Sequence, residues 1–244
     1  MRETFLLQLR SGKMITPTVR HLEFTRVDGN LLSFIPGQFV TFHFEIDGSQ
    51  HQRSYSIATI PGQANTIEIA ASPFVGGVGT QLLFNIQPGE QIETSGPFGR
   101  LTLRDEKPTR YILVATGTGI TPYRSMLPEL LNRIQEHNVK TIIYLGIQTP
   151  DDLLYGDDFV AFSHEHPNLE FHVFYSRKMP VDPRSFEHQG YVQTGFDQLS
   201  LNPKSDIVYL CGNPHMIDQA FVMLRERGFE TSQVRREKYI SPKQ

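Results

Sequence analysis

The chain has 244 residues, enough for two compact domains of ordinary size, and its 39% hydrophobic and 20% charged content reads as soluble and globular. A net charge of −3 argues against nucleic acid as the main partner, and no apolar run approaches the length of a membrane span. The single cysteine, Cys211, excludes an internal disulfide framework and a cysteine-ligated iron–sulfur cluster, so a redox cofactor must be organic or held by something other than thiolate.

The N-terminus Met1-Arg2-Glu3-Thr4 opens into an alternating strand with no apolar signal region, which reads as a cytoplasmic protein. From Phe5 to Leu103 the pattern is short β-type runs, among them Phe39 to Phe44, Tyr55 to Ala58 and Thr66 to Ala70, broken by Pro36-Gly37, Asp47-Gly48, Pro61-Gly62 and Pro88-Gly89. That is the pattern of an antiparallel barrel or sandwich. Within it, Arg53-Ser54-Tyr55-Ser56-Ile57 offers a cation, hydroxyls and an aromatic ring on one extended segment. Strand alternation puts Arg53 and Tyr55 on one face and Ser54 and Ser56 on the other. Gly76-Gly77-Val78-Gly79-Thr80 reads as a glycine turn opening a short helix, Thr80 to Phe84, whose N–H groups favour an anion.

Arg104 to Thr109 reads as a linker, which divides the chain into domains 1–104 and 110–244. Beyond it, apolar strands (Tyr111 to Ala115, Thr141 to Gly146, Leu169 to Tyr175, Ile207 to Cys211) alternate with helical segments (Pro122 to His137, Pro214 to Arg227), implying a parallel sheet with crossovers on both faces. Gly117-Thr118-Gly119-Ile120-Thr121-Pro122 follows the first of these strands, where a dinucleotide can meet backbone N–H groups and a helix N-terminus, with Pro122 at the first helical position. Cys211-Gly212-Asn213-Pro214-His215-Met216 occupies the same place after the last. The nine histidines show no metal-helix spacing; His164 and His166 flank a glutamate in what reads as a polar, solvated loop, and no metal site is expected.

These segments together resemble the ferredoxin/flavodoxin–NADP(+) reductase family, over nearly the whole chain. The resemblance implies a two-domain fold, an antiparallel β-barrel that binds flavin followed by an α/β parallel-sheet domain that binds the nicotinamide nucleotide. It implies that Arg53 meets the flavin pyrophosphate, that Tyr55 packs on the isoalloxazine, that Ser56 lies near flavin N5, and that Ser54 and Ile57 complete the segment. Gly76, Gly77, Val78 and Thr80 correspond to the family's second flavin motif, and Gly96-Pro97-Phe98-Gly99 to its turn before the last barrel strand. Thr118, Gly119, Thr121 and Pro122 correspond to its nicotinamide loop, and Cys211, Gly212, Pro214 and Met216 to its Cys-Gly-x-Pro-x-Met motif, with Cys211 beside the nicotinamide C4.

Ser176 and Arg177 resemble the pair that grips the 2′-phosphate of NADPH, a bidentate task suited to a guanidinium. Ile147-Gln148-Thr149 and Tyr191 stand where many NADPH-using members carry basic residues, which keeps NADH as the alternative. Glu237-Lys238-Tyr239 resembles the Glu-x-Tyr ending whose tyrosine covers the flavin, here followed by Ile240 to Gln244. That extension and the Gly76-Gly77 turn favour FAD over FMN.

The implied activity is hydride transfer between NADP(H) and FAD N5, with single electrons passing to ferredoxin or flavodoxin, by a monomeric enzyme without membrane or nucleic-acid partners. Ser56, Cys211, Glu237 and Tyr239 are then the residues at the chemistry. Residues 1–104 hold eight basic and eight acidic side chains, so an acidic carrier would need a local patch, for which Arg235, Arg236 and Lys238 are candidates. The alternatives are the reductase component of an oxygenase, a free-flavin reductase, or a non-enzymatic flavin-binding regulatory subunit.

Overall fold

The computed structural model describes residues 4–46, 48–63, 65–73 and 78–239, apart from the side chains of Val78 and Thr80. Two compact units divide the chain, residues 1–103 with 121–126 and residues 104–120 with 127–244.

In the first unit, strands β1 (Thr4–Met14), β2 (Arg20–Arg26), β3 (Phe39–Ile46), β4 (Ser49–Ser56), β5 (Ile67–Ala71) and β6 (Gln91–Phe98) form one sheet in the order β4-β3-β6-β1-β2-β5. Every pairing is antiparallel. The edges approach each other through an Ile57–Ile69 bridge and an Ala58 N–H donated to the Glu68 carbonyl, which rolls the sheet toward a barrel. Alternation fills the interior: Leu7 and Leu9 from β1, Leu22 and Phe24 from β2, and Val40 and Phe42 from β3 are buried, with the rings of Phe24 and Phe42 edge to face at 5.3 Å. Helix α1 (Val78–Asn85) adds Leu83 to this core. Gly37, at φ +98°, turns where a Cβ would meet the Leu101 carbonyl at 2.0 Å, so only glycine fits. Gly96 and Pro97 lie inside β6, which is the last strand of this sheet in chain order. This corrects the expectation of a turn before a final barrel strand.

The second unit holds β7 (Arg110–Thr116), α2 (Thr121–His137), β8 (Lys140–Ile147), α3 (Gly156–Glu165), β9 (Leu169–Tyr175), β10 (Glu187–Gln189), β11 (Asp206–Gly212), α4 (Pro214–Glu226) and β12 (Val234–Lys238). The first residues of α2, Thr121–Met126, group with the first unit, where Arg124 donates to the Glu68 carboxylate at 2.6 Å and the Ala58 carbonyl at 2.7 Å. The sheet is parallel throughout, in the order β10-β9-β8-β7-β11-β12. Chain order reverses between β7 and β11, which makes their carboxyl ends the switch point where such sheets bind ligands. α4 buries Met216, Ile217, Ala220 and Leu224 against Ile112, Val114, Val208 and Leu210 on one face. On the other face Arg133 of α2 donates to the Tyr111 hydroxyl, and Phe159 of α3 stacks on Phe171.

The segment read as a linker is fastened down: Glu106 pairs with the buried Arg235, and Arg133 donates to the carbonyls of Arg104 and Glu106. A second correction concerns His164, which sits in the last turn of α3 and not in a polar loop, with His166 as the residue that caps it. Only Gly156 and Phe159 of α3 are buried, so its sequence carries almost no apolar period to read.

Candidate functional site

Two constellations gather the candidate residues, one in each unit. In the first, β4 carries Arg53, Ser54, Tyr55 and Ser56 in register with Phe42, Thr41, Val40 and Phe39. Tyr55 packs on Phe42 at 5.5 Å, and burial pushes its hydroxyl up to about 12. Ser54 shares a hydrogen bond of 2.9 Å with Thr41, and Ser56 is buried. The Arg53 stem lies against Gly79, where an added Cβ would sit 2.7 Å from Arg53 Cγ and 3.0 Å from Phe44 Cζ. The stem of Arg53 is thereby held beside the first turn of α1, whose N–H groups have no intrahelical partner, while its guanidinium donates to the Gln52 carbonyl at 2.8 Å. Ile57 is wholly buried in the core, so what it can offer a ligand is backbone. Gly76 and Gly77 lie outside the described residues, as do the side chains of Val78 and Thr80 and the Ile240 to Gln244 extension.

The second constellation stands at the switch point. Gly117 to Ile120 forms a short 3-10 turn after β7, and α2 begins directly at Thr121 and Pro122, both buried. Thr118 is half-exposed. Gly119 presses on the end of β11: a Cβ there would lie 2.4 Å from the Cys211 carbonyl oxygen and 2.8 Å from Gly212 Cα. Gly212, at φ +117°, is likewise closed against Thr116, whose hydroxyl accepts the Asn213 N–H at 2.9 Å. Asn213 then caps α4 by accepting from the N–H groups of His215 and Met216, with Pro214 at the helix start. The Met216 side chain belongs to the core, so it contributes to the site through this cap alone.

Cys211 is fully buried and pairs in register with Glu237 of β12. Burial, reinforced by the Glu237 charge, holds its thiol well above the ordinary value, against a Tyr239 hydrogen bond that lowers it. The group is a neutral thiol, unsuited to nucleophilic attack. Tyr239 is fixed by its N–H on the Gly212 carbonyl at 2.9 Å, so Cys211, Glu237 and Tyr239 form one cluster. Farther along the same sheet edge, the Arg177 and Lys178 N–H groups both donate to the Gln148 carbonyl, and the Ser176 hydroxyl donates to the Ile147 carbonyl. Arg177 is exposed, and so is Tyr191.

The basic patch sketched at Arg235, Arg236 and Lys238 does not assemble. Arg235 is buried on Glu106, Arg236 lies over the Phe221 ring at 3.7 Å, and Lys238 pairs with Asp218 at 2.6 Å. Alternation along β12 turns neighbouring cations to opposite faces, and carboxylates neutralise two of the three. Residues the sequence reading passed over are Thr116, Asn213 and Gly79. Their signal was positional: a hydroxyl at a strand end, a capping residue before proline, and the one glycine of its motif placed inside the helix.

Among the described residues no helix is long and apolar enough to cross a membrane, and no group of three or more His, Cys, Asp or Glu could hold a metal ion. The description of an oxidoreductase FAD-binding domain matches residues 6–103, and that of an oxidoreductase NAD-binding domain matches residues 113–221. The ferredoxin–NADP reductase B of Sorangium cellulosum is 29% identical, over 97% of this chain and 98% of that protein. The toluate 1,2-dioxygenase electron transfer component of Pseudomonas putida is 28% identical, over 87% of this chain and 60% of that protein. Among solved structures, a ferredoxin NADP+ reductase from Neisseria gonorrhoeae with bound FAD and NADP shares the fold at a TM-score of 0.82 and 22% identity, over 97% of this chain and 99% of that one. With an FAD-binding and an NAD-binding description each matched in order along the chain, this protein belongs to the ferredoxin–NADP reductase-like family of flavin-dependent oxidoreductases.

Proposed function

We propose that the chain is an NADPH-dependent ferredoxin or flavodoxin reductase. The observation that carries this reading is the match to the Sorangium ferredoxin–NADP reductase, 29% identical over 97% of this chain.

The residues present fit FAD. The Gly79 gap that seats Arg53 beside the first turn of α1 is a cradle for phosphate, and Tyr55 supplies an apolar ring beside it. Arg53 and the backbone of α1 would hold the phosphates, Tyr55 would pack on the ring system, and Ser54 and Ser56 would hydrogen-bond the flavin. FAD, when bound, accepts a hydride and releases electrons singly, so the protein needs to supply orientation and electrostatics. Cys211, kept neutral by burial, would present a small polarizable side chain to a flat ring once Tyr239 moves off it. Gly119 and Gly212 let the two loops close without side chains between them, and Thr118, Thr121 and Pro122 complete the turn. Tyr239, seated on Cys211, would have to move aside for the nicotinamide, and Glu237 would tune the local charge. Ser176 and Arg177 would receive the 2′-phosphate.

Anaerobic rapid mixing with NADPH or NADH, followed at the flavin bands, tests this. Faster bleaching by NADPH, with electrons then passed to ferredoxin or flavodoxin, is the expected result. Equal bleaching by both nucleotides removes the NADPH assignment. The relatives among oxygenase reductases support a second reading, in which the electrons go to an oxygenase component. Reduction by NADH with no transfer to either carrier would favour it.

A further inference from the structure

We infer that Arg20 is a positioning residue for the flavin phosphates, acting through the far end of α1. The inference rests on the reading of the first turn of α1 as the phosphate cradle. α1 has eight residues, too few to hold its own geometry in water, and it has no basic residue in its last turn. The cation that complements its C-terminal dipole comes instead from β2. Arg20 donates through Nη1 to the Leu83 carbonyl at 2.8 Å and through Nη2 to the Ile86 carbonyl at 3.1 Å.

Room for that fork is made by Gly12 on the neighbouring strand, where a Cβ would lie 2.8 Å from Arg20 Nη2 and 3.0 Å from its Nε. Pairing with Met14 on one side and Ala71 on the other fixes the Arg20 backbone within the sheet. The helix is thus pinned at one end by Arg20 and at the other by the packing of Gly79 on Arg53 and Phe44. A short helix that tilts or frays at its C-terminus shifts the N–H groups at its N-terminus, which is where the phosphates need them.

The test compares wild type with Arg20→Met and Arg20→Lys as full-length protein freed of flavin and titrated with FAD and, separately, with riboflavin, which has no phosphate. Arg20→Met is expected to raise the FAD dissociation constant about tenfold, the scale of a lost charge-assisted contact, while leaving riboflavin binding unchanged. Arg20→Lys, which can serve one carbonyl at a time, should fall between. Unchanged FAD affinity, or equal weakening toward FAD and riboflavin, would overturn the inference, because the second pattern marks a general role in the barrel. If Arg20→Met does not fold, the same comparison is decided by Arg20→Lys. A wild-type protein that binds riboflavin as tightly as FAD would instead remove the phosphate-cradle reading itself.

Discussion

A methyl group at the Cβ position of Gly119 would sit 2.4 Å from the carbonyl oxygen of Cys211, a distance no packed carbon tolerates. The loop after β7 and the carboxyl end of β11 are therefore one tightly fitted surface at the switch point of the parallel sheet. Gly119→Ala should force them apart at a cost of about 1–3 kcal/mol. A lower melting temperature and a KM for the nicotinamide nucleotide raised at least about tenfold are expected, with flavin content unchanged. An unaltered KM would show that the fit of the two loops does not matter to the nucleotide.

Gly79→Ala should displace Arg53, because the new Cβ would meet Arg53 Cγ at 2.7 Å, near the fixed end of that side chain. Loss of FAD on gel filtration is expected, to about the same degree as in Arg53→Ala. Since both changes act on one guanidinium, the double variant should lose little more than either single one. Full additivity would mean that Gly79 and Arg53 act separately.

Arg177 is exposed at the end of β9, with its backbone tied to Gln148. Arg177→Ala should raise the KM for NADPH about tenfold and leave that for NADH unchanged, since only the former carries a 2′-phosphate. Equal changes for the two nucleotides would rule out a phosphate role.

His172 and His188 share a hydrogen bond of 3.0 Å across β9 and β10, and burial, with His172 second, holds His188 below the ordinary histidine value. A folded value below the unfolded one means that the unfolded chain binds more protons, so stability is present above the unfolded value near 6.5 and is lost as pH falls through the folded one. Melting temperature measured from about pH 7.5 to about pH 5 should decline, and His188→Asn should flatten that part of the decline. An unchanged slope in the variant would place the pH sensitivity elsewhere.

Much of this fold was legible locally. The runs at Phe39 to Phe44 and Leu169 to Tyr175 became strands because alternating or continuous apolar residues have one way to be buried. The start of α4 was legible because Pro214, directly after an apolar strand and its glycine, suits a first helical position in any context. α3 was not, since just one of its large side chains, Phe159, is buried, which leaves no apolar stripe to read. The cations of β12 misled for a related reason: their spacing showed three positive charges, and nothing in it showed that Glu106 and Asp218 would arrive to neutralise two of them.

The amino-acid order by itself determined the two halves, antiparallel strands and then alternating strands and helices, and the glycine loops at strand ends, because periodicity and backbone freedom are properties of neighbouring residues. Tertiary structure alone decided that Arg53 rests on Gly79, that Gly119 closes on Cys211, that Tyr239 seats on that same cysteine, and that Arg20 holds the far end of α1. Those contacts join residues far apart in the chain, and they exist only once the strand order has been chosen by the packing of each whole core, which no local segment encodes.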